Sequence, residues 1–482
     1  MPVTTLPFAG GFYTSDSMTI SSQACVNLYP VIEESASLSQ ETLRGTPGIE
    51  LVVTAGSAAN RGAHALNGVP YFVQGTELYR LESGETVTLC GTIAGTGRVS
   101  MADNGTQLMV CVPGGAGYIF TESPDTLTTI SDTDYTTTNG APQFVVYLDS
   151  YFVVTTDAKK FKISALNDGL TWDALDFGSA ESSPDGVVTP VVFRNQLFIA
   201  GERTMEAFNN VGGAGFPFTR TGLFLEQGVA GLFTIINAKN TFMFLGAGEN
   251  EVPGIWMLAG NETTKVSTRA IDALLRVLTT AERAAVHTWA YGQAGNYFVG
   301  FVLPTTTIVF DLASQKWHER QSTYLITGII TTTTWRGSSV VAGYGKLYVG
   351  DLVGSNLGNL TPDIYAEYSL EILRSFSTQP FQNQQKPFSV PMVELTMESG
   401  VGVNDVLLPA DEEPMVYFDQ STNGGKTWSE KRGRKIGRIG EYYRRTIWRR
   451  NGTPRRFVCY RFSLSSAVKV AVASLVADIV GV

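Results

Sequence analysis

Three histidines (His64, His287, His318) and four cysteines (Cys25, Cys90, Cys111, Cys459) are all that this 482-residue chain offers for imidazole or thiolate chemistry. They are dispersed and form no CxxC pair, so neither a finger-like zinc site nor a disulfide scaffold is expected. No HExxH, GxxxxGKS/T or GxSxG segment is present to hold zinc, cradle a phosphate or present an acyl-transfer nucleophile. Asp411-Glu412-Glu413 is a local carboxylate cluster, and its expected state is a solvated loop rather than a metal site. Carboxylate pairs of the glycosidase kind come from distant strands in β folds, so sequence spacing does not reveal them. No catalytic, cofactor-binding or metal residue is assigned, and no cofactor is expected.

The chemistry left is electrostatic. Residues 1–365 carry 19 basic and 32 acidic side chains, whereas 366–482 carry 16 and 12. The segment Lys426 to Arg461 alone holds 13 Lys/Arg against Glu430 and Glu441. Such a block binds phosphate or an acidic protein surface, while an acidic body repels DNA or lets it slide past. Tyr442, Tyr443, Ile447, Trp448, Phe457 and Tyr460 are interspersed in it, which predicts a strand pair with one solvated basic face that serves a protein contact. No nucleic-acid recognition pattern accompanies the aromatics. Arg444, Arg445, Arg449 and Arg450 are the candidate interface residues. Two further segments, Ser164 to Trp172 and Ser421 to Trp428, resemble the Asp-box hairpin of sialidases and related propellers. In that turn a small polar side chain bonds the backbone and a Trp packs beneath, which is a structural role. Asn423 stands where the box carries Asp, and the Ser164 copy has altered spacing.

Charged residues make up only 16% of the chain, with 50 Gly, 26 Phe and 19 Tyr. That composition favours strands and turns over solvated helices. A turn followed by alternating apolar residues recurs seven times, at Asn67-Gly68, Asn104-Gly105, Asp149-Ser150, Asn195, Asn240, Asn296 and Gly345. The intervals run from 37 to 56 residues. These turn residues accept the positive φ of tight hairpins, and the alternation buries one face of each strand. A single four-stranded unit cannot bury both faces, so units must stack. A period near 45 residues with two hairpins per unit suits β-propeller blades. The expected fold is all-β: a six- or seven-bladed propeller over 61–365, with a β-sandwich or tandem sandwiches as the alternative.

A helical insertion is expected near 268–286. Ile271, Leu274, Leu275 and Leu278 recur at helical spacing after Thr268, and Thr279 to Glu282 reads as a capping box. It is either a lid on one end of the propeller or a partner-binding, ring-forming helix. Residues 1–60 read as an extended arm and 366–482 as a C-terminal β-sandwich-like domain, with the polar stretch Gln382 to Pro387 either a linker or a long loop. The opening Met1-Pro-Val-Thr-Thr lacks a signal-peptide pattern, and the apolar C-terminal stretch is too broken to span a bilayer. No membrane insertion is expected.

Several segments resemble the tail accessory factors, or packaged-DNA stabilisation proteins, of P22-like short-tailed phages. They are Gly95-Thr-Gly97-Arg98-Val-Ser-Met101-Ala102, Glu181-Ser-Ser-Pro184-Asp185-Gly186 and Glu226-Gln-Gly228-Val-Ala-Gly231. Asn27-Leu-Tyr-Pro30, Leu43 to Ile49 and the arginine-flanked stretch Arg449 to Arg461 fit the same family. The resemblance implies a non-enzymatic virion tail component, assembled in the host cytoplasm as a homo-oligomeric ring of six copies. Implied partners are the portal adaptor protein, a tailspike or fibre protein and the tail needle. Packaged DNA would pass through the channel without sequence-specific binding. In that setting Arg444, Arg445, Arg449 and Arg450 would dock an acidic patch on the adaptor ring or the neighbouring subunit. The readings from other classes are a sialidase-type glycan-cleaving propeller and a non-catalytic glycan-binding module.

Overall fold

Each hairpin signal becomes one blade. A computed structural model describes residues 3–35, 38–180, 185–213, 215–326, 329–403 and 409–481. The first blade comprises Asn60–Leu66, Val69–Gln74, Glu77–Leu81 and Val87–Thr92. Similar antiparallel sheets follow over 100–129, 142–178, 187–225 and 235–265. The sixth blade is His287–Gln293, Asn296–Val302, Thr307–Asp311 and Lys316–Ile326. The seventh takes Gly337–Gly343, Lys346–Asp351 and Asn356–Thr361, and its fourth strand is Gly48–Thr54 from the N-terminal region. The hairpin turns use positive φ at both central residues: 52° and 79° at Asn67-Gly68, 47° and 73° at Asp149-Ser150. That geometry matches the right-handed twist of the flanking strands.

The innermost strands neighbour one another around a closed ring. Seven apolar clusters fill the spaces between successive blades. Tyr71, Val110 and Phe120 lie between the first and second, and Phe72, Val341 and Tyr348 close the ring between the seventh and first. Stacking thus buries the face that a lone blade would expose.

The helices Arg269–Val277 and Thr280–Ala284 lie in the connection between blades five and six, at the cap positions the sequence indicates. The Thr268 side chain accepts from the Ile271 N–H, and Thr279 with Glu282 forms a capping box. Ala270, Ile271 and Leu275 are buried between these blades. Thr280, Arg283 and Ala284 border a cavity on the propeller axis.

The N-terminal region, expected as an extended arm, is cut into short strands that pair with remote partners. Leu28–Ile32 and Glu41–Gly45 extend a sheet containing Ala471–Asp478, Met392–Met397 and Thr446–Arg449. Opposite it lie Arg374–Ser377, Phe457–Leu464, Met415–Ser421 and Arg432–Lys435. Phe376, Phe418, Trp448, Tyr460 and Phe462 fill the sandwich between these two sheets. Pieces this short carry no periodicity of their own, so tertiary pairing alone fixes them.

Cys25–Val26 joins the two bodies, pairing with the outer strand of blade six on one side and with Arg374–Ser377 on the other. Asn27, at φ 53°, locks the joint. Its Nδ2 donates to the carbonyls of Gln321 and Leu373 at 2.8 and 2.9 Å, and its Oδ1 accepts from the Gln321 N–H at 2.9 Å. Glu319 lies at the same joint with one side-chain hydrogen bond, from Thr306 Oγ1 at 3.2 Å, and burial pushes its carboxyl up to about 7. The folded state therefore holds this proton longer than the unfolded chain does. Its stabilising share is full below the ordinary value of 4.5 and is lost as pH rises through 7. Glu319→Gln is expected to stabilise the protein by about 2–3 kcal/mol at about pH 8 and by almost nothing at about pH 4. Urea unfolding at the two pH values checks this, and an equal shift at both would refute it.

Candidate functional site

The basic block forms an open edge of the sandwich. Arg432–Lys435 and Thr446–Arg449 are edge strands of opposite sheets. Edge strands leave backbone groups unpaired, and here arginine side chains satisfy several of them. Arg434 Nε donates to the Ile447 carbonyl at 2.9 Å. Arg432 donates to the Arg449 carbonyl at 3.4 Å and to Asn451 Oδ1 at 2.6 Å. Trp448 Nε1 returns a bond to the Arg432 carbonyl at 2.8 Å. The expected strand pair with a single basic face is thus corrected: its strands belong to two sheets, and Trp448 and Tyr460 are core residues.

The four predicted arginines do not form one patch. Arg444 and Arg445 precede strand Thr446–Arg449, while Arg449 and Arg450 end it, about 13 Å further along at strand rise. Arg445 is held by both carboxylate oxygens of Glu394 at 2.7 Å, and Arg444 lies 4.0 Å from Glu441. Arg449 and Arg450 are exposed and have no ion pair among the described residues. Sequence reasoning missed the intervening loop, where Ile439, Tyr442 and Tyr443 are exposed, Tyr443 at 98%. Its signal was Gly437 and Gly440, both at positive φ, which break the alternation and force turns. Exposed aromatics beside arginines have the composition of an interaction surface.

A second constellation sits on the propeller axis. Arg98 reaches blade seven, where its Nη atoms donate to Ser338 Oγ at 2.9 Å and to the Ser338 carbonyl at 3.2 Å. Its guanidinium lies 5.7 Å from the Phe233 ring, which in turn packs 5.3 Å from Phe144. Arg98 and Phe233 line both a cavity of about 1100 Å³ on one side and one of about 520 Å³ on the other. The axis is therefore blocked midway. Segments 95–102 and 226–231 both reach this region. Of 181–186, residues 181–184 lie outside the described residues, while Asp185 accepts from the Arg203 and Thr204 N–H groups.

The remaining sequence features are structural. Asn423 Oδ1 accepts from the Thr427 N–H at 3.0 Å, and Trp428 lies under the Arg461 guanidinium at 4.2 Å. In the other hairpin Asp168 accepts from Leu170 N and Thr171 Oγ1, and the buried Trp172 donates to the Gly169 carbonyl. Asp411 accepts from the Ala467 N–H, while Glu412 and Glu413 pair with Arg438. A sialidase site needs several arginines converging beside a Tyr–Glu pair. The Tyr71–Glu122 and Tyr79–Glu77 pairs, each at 2.6 Å, do not line the axial cavity. Arg203 faces Glu249, and Arg283 is bonded to helix carbonyls.

The chain is thus a seven-bladed propeller stitched to a β-sandwich, with an arginine-rich edge and a blocked axis. The family described as Bacteriophage P22 Gp10, beta-propeller, matches residues 4–365, and Bacteriophage P22 Gp10, beta-sandwich, matches 373–480. The chain belongs to the P22 Gp10 family. It is 24% identical over 402 residues to the tail hub protein gp10 of Salmonella phage P22, covering 81% of each. Among solved structures it is similar to YCF48 bound to D1 peptide, with TM-score 0.40, 10% identity, and coverage of 66% of this chain and 98% of that one. It is also similar to the WD40 β-propeller domain of Doa1, with TM-score 0.39, 12% identity, and coverage of 65% and 96%.

Proposed function

We propose that this chain is a structural, non-catalytic phage tail protein, a tail hub that assembles as a ring of six copies below the portal adaptor. The ring extends the DNA channel, retains packaged DNA, and mounts tailspikes or fibres and the tail needle. The observation that carries this reading is the match of both bodies, in chain order, to the two halves of one tail-hub family. The blocked axis supports a ring, since a single propeller offers no bore for a duplex and a conduit must be enclosed by several copies. The acidic excess of residues 1–365 supports passage of DNA without trapping, because phosphate contacts would otherwise accumulate along the path.

Arg449 and Arg450 dock an acidic patch on a neighbouring copy or on the adaptor. Arg444 and Arg445 contribute less, because Glu441 and Glu394 already face them. Reversing Arg449 and Arg450 to Glu is expected to weaken assembly about 10–100-fold at physiological salt. The Arg444→Glu, Arg445→Glu pair should weaken it less. Analytical ultracentrifugation and negative-stain imaging of the purified chain, with and without its adaptor, read the result. Rings of unchanged stability in the first variant defeat the docking role, and a monomer under every condition defeats the hub.

A further inference from the structure

The larger axial cavity has the chemistry of a ligand site, separate from any scaffold role. Its walls include Val112, Pro113, Val229, Leu232, Phe233 and Pro253, and its volume of about 1100 Å³ sits near the upper end of small-molecule pockets. Four cations reach it, and three are spent. Lys159 lies 3.4 Å from Glu202, Arg203 lies 3.8 Å from Glu249, and Arg283 donates to the Leu275 and Leu278 carbonyls.

Arg98 is different. Its hydrogen-bond partner is the neutral Ser338, and it has no ion pair among the described residues. Its Nε is buried with no hydrogen-bond partner among the described residues. Burial alone pulls the guanidinium down to about 10. The loop that carries it is fixed in advance, because Arg61 donates to the carbonyls of Gly75, Ile93, Ala94 and Gly97 at 2.6–3.1 Å. A desolvated cation with no counter-charge is costly, and an anion arriving where the guanidinium borders the cavity offsets that cost. A preorganised donor beside apolar walls is how a pocket selects a charged group on an apolar body.

We propose that this cavity binds an organic monoanion, with its carboxylate on the Arg98 guanidinium and its apolar body against Phe233, Leu232 and Val229. A free amphiphile and the C-terminal carboxylate of a polypeptide share this chemistry. Calorimetric titration of the full chain with decanoate, decanol and inorganic phosphate tests the site. Decanoate is expected to bind about 10–100-fold more tightly than decanol, the range of a charge-assisted hydrogen bond, and phosphate more weakly than decanoate. Arg98→Met should abolish the preference. Should that variant fail to fold, Leu232→Asp, on the half-exposed wall, should lose decanoate binding with an unchanged melting temperature. A short apolar peptide that displaces decanoate only when its C-terminus is free points to a polypeptide source. Its failure to displace, with decanoate binding retained, points to a small molecule. Equal binding of decanoate and decanol, no binding of either, or wild-type decanoate binding by Leu232→Asp overturns the proposal.

Discussion

Arg320→Ala is expected to lower stability by about 3–5 kcal/mol, among the largest effects of any single side chain in the propeller. Arg320 is 1% exposed and has no ion pair among the described residues. Its charge is met by aromatic rings and, beyond hydrogen-bond range, by the buried Glu367 carboxylate. The guanidinium lies 5.3 Å from Trp289, 5.3 Å from Tyr291, 5.0 Å from Phe298 and 5.4 Å from Trp335. Nη1 donates to the Tyr291 hydroxyl at 2.5 Å and Nε to His318 Nε2 at 3.4 Å. These groups span the contact between blades six and seven, so truncation opens a void there and leaves the Tyr291 hydroxyl without its donor.

The cation and the volume separate by a second substitution. Arg320→Met keeps much of the bulk and removes the charge. If the rings hold the cation, it costs about 2 kcal/mol, the scale of a desolvated cation–π contact. If only packing matters, the cost is under about 1 kcal/mol. Urea midpoints of the three proteins decide between these. A methionine variant as stable as the parent sinks the electrostatic account. His318 works in the same direction under acid. Burial first, and then Arg320, hold its imidazole well below the ordinary 6.5. Its neutral form is therefore a stabilising requirement that fails as pH falls.

Local chemistry was legible and remote pairing was not. Asn67-Gly68 and Asp149-Ser150 announced their hairpins because few residues accept positive φ. Thr268 and Thr279 announced helix starts because their side chains cap backbone N–H groups. Gly48–Thr54 announced nothing, since its partner Asn356–Thr361 lies some three hundred residues away. The basic block was visible as a count, yet Glu394, which neutralises Arg445, lies on another strand. Tyr442 and Tyr443 were drawn onto a strand by their aromatic character, and the flanking glycines overrode it. Arg98 stood in a short Gly-Thr-Gly-Arg context, and only the closed ring of blades turns a loop arginine into an axial group.

Ring closure carries the other large effect. Blade seven is completed by Gly48–Thr54, so the propeller is tied shut by chain from its own N-terminal region. Ile49 is 1% exposed within the cluster between blades six and seven. A Cβ added at Gly358 would lie 2.2 Å from Ile49 Cγ2, so the two strands meet without spare room. Ile49→Asp buries an unpaired carboxylate at this seam and is expected to cost about 4–5 kcal/mol. Leu43→Asp, in the sandwich core at 0% exposure, supplies the matched control. Hydrogen exchange then distinguishes the seams. The Ile49 variant should lose protection along Asn356–Thr361 while the sandwich strand Ala471–Asp478 keeps it, and the Leu43 variant should do the reverse. A synthetic peptide covering 46–56, added to the Ile49→Asp chain, should restore protection along Asn356–Thr361, because the loosened edge offers a row of unpaired backbone groups. If Asn356–Thr361 stays as protected in the Ile49→Asp chain as in the parent, the N-terminal strand is an ornament on a propeller that closes by other means.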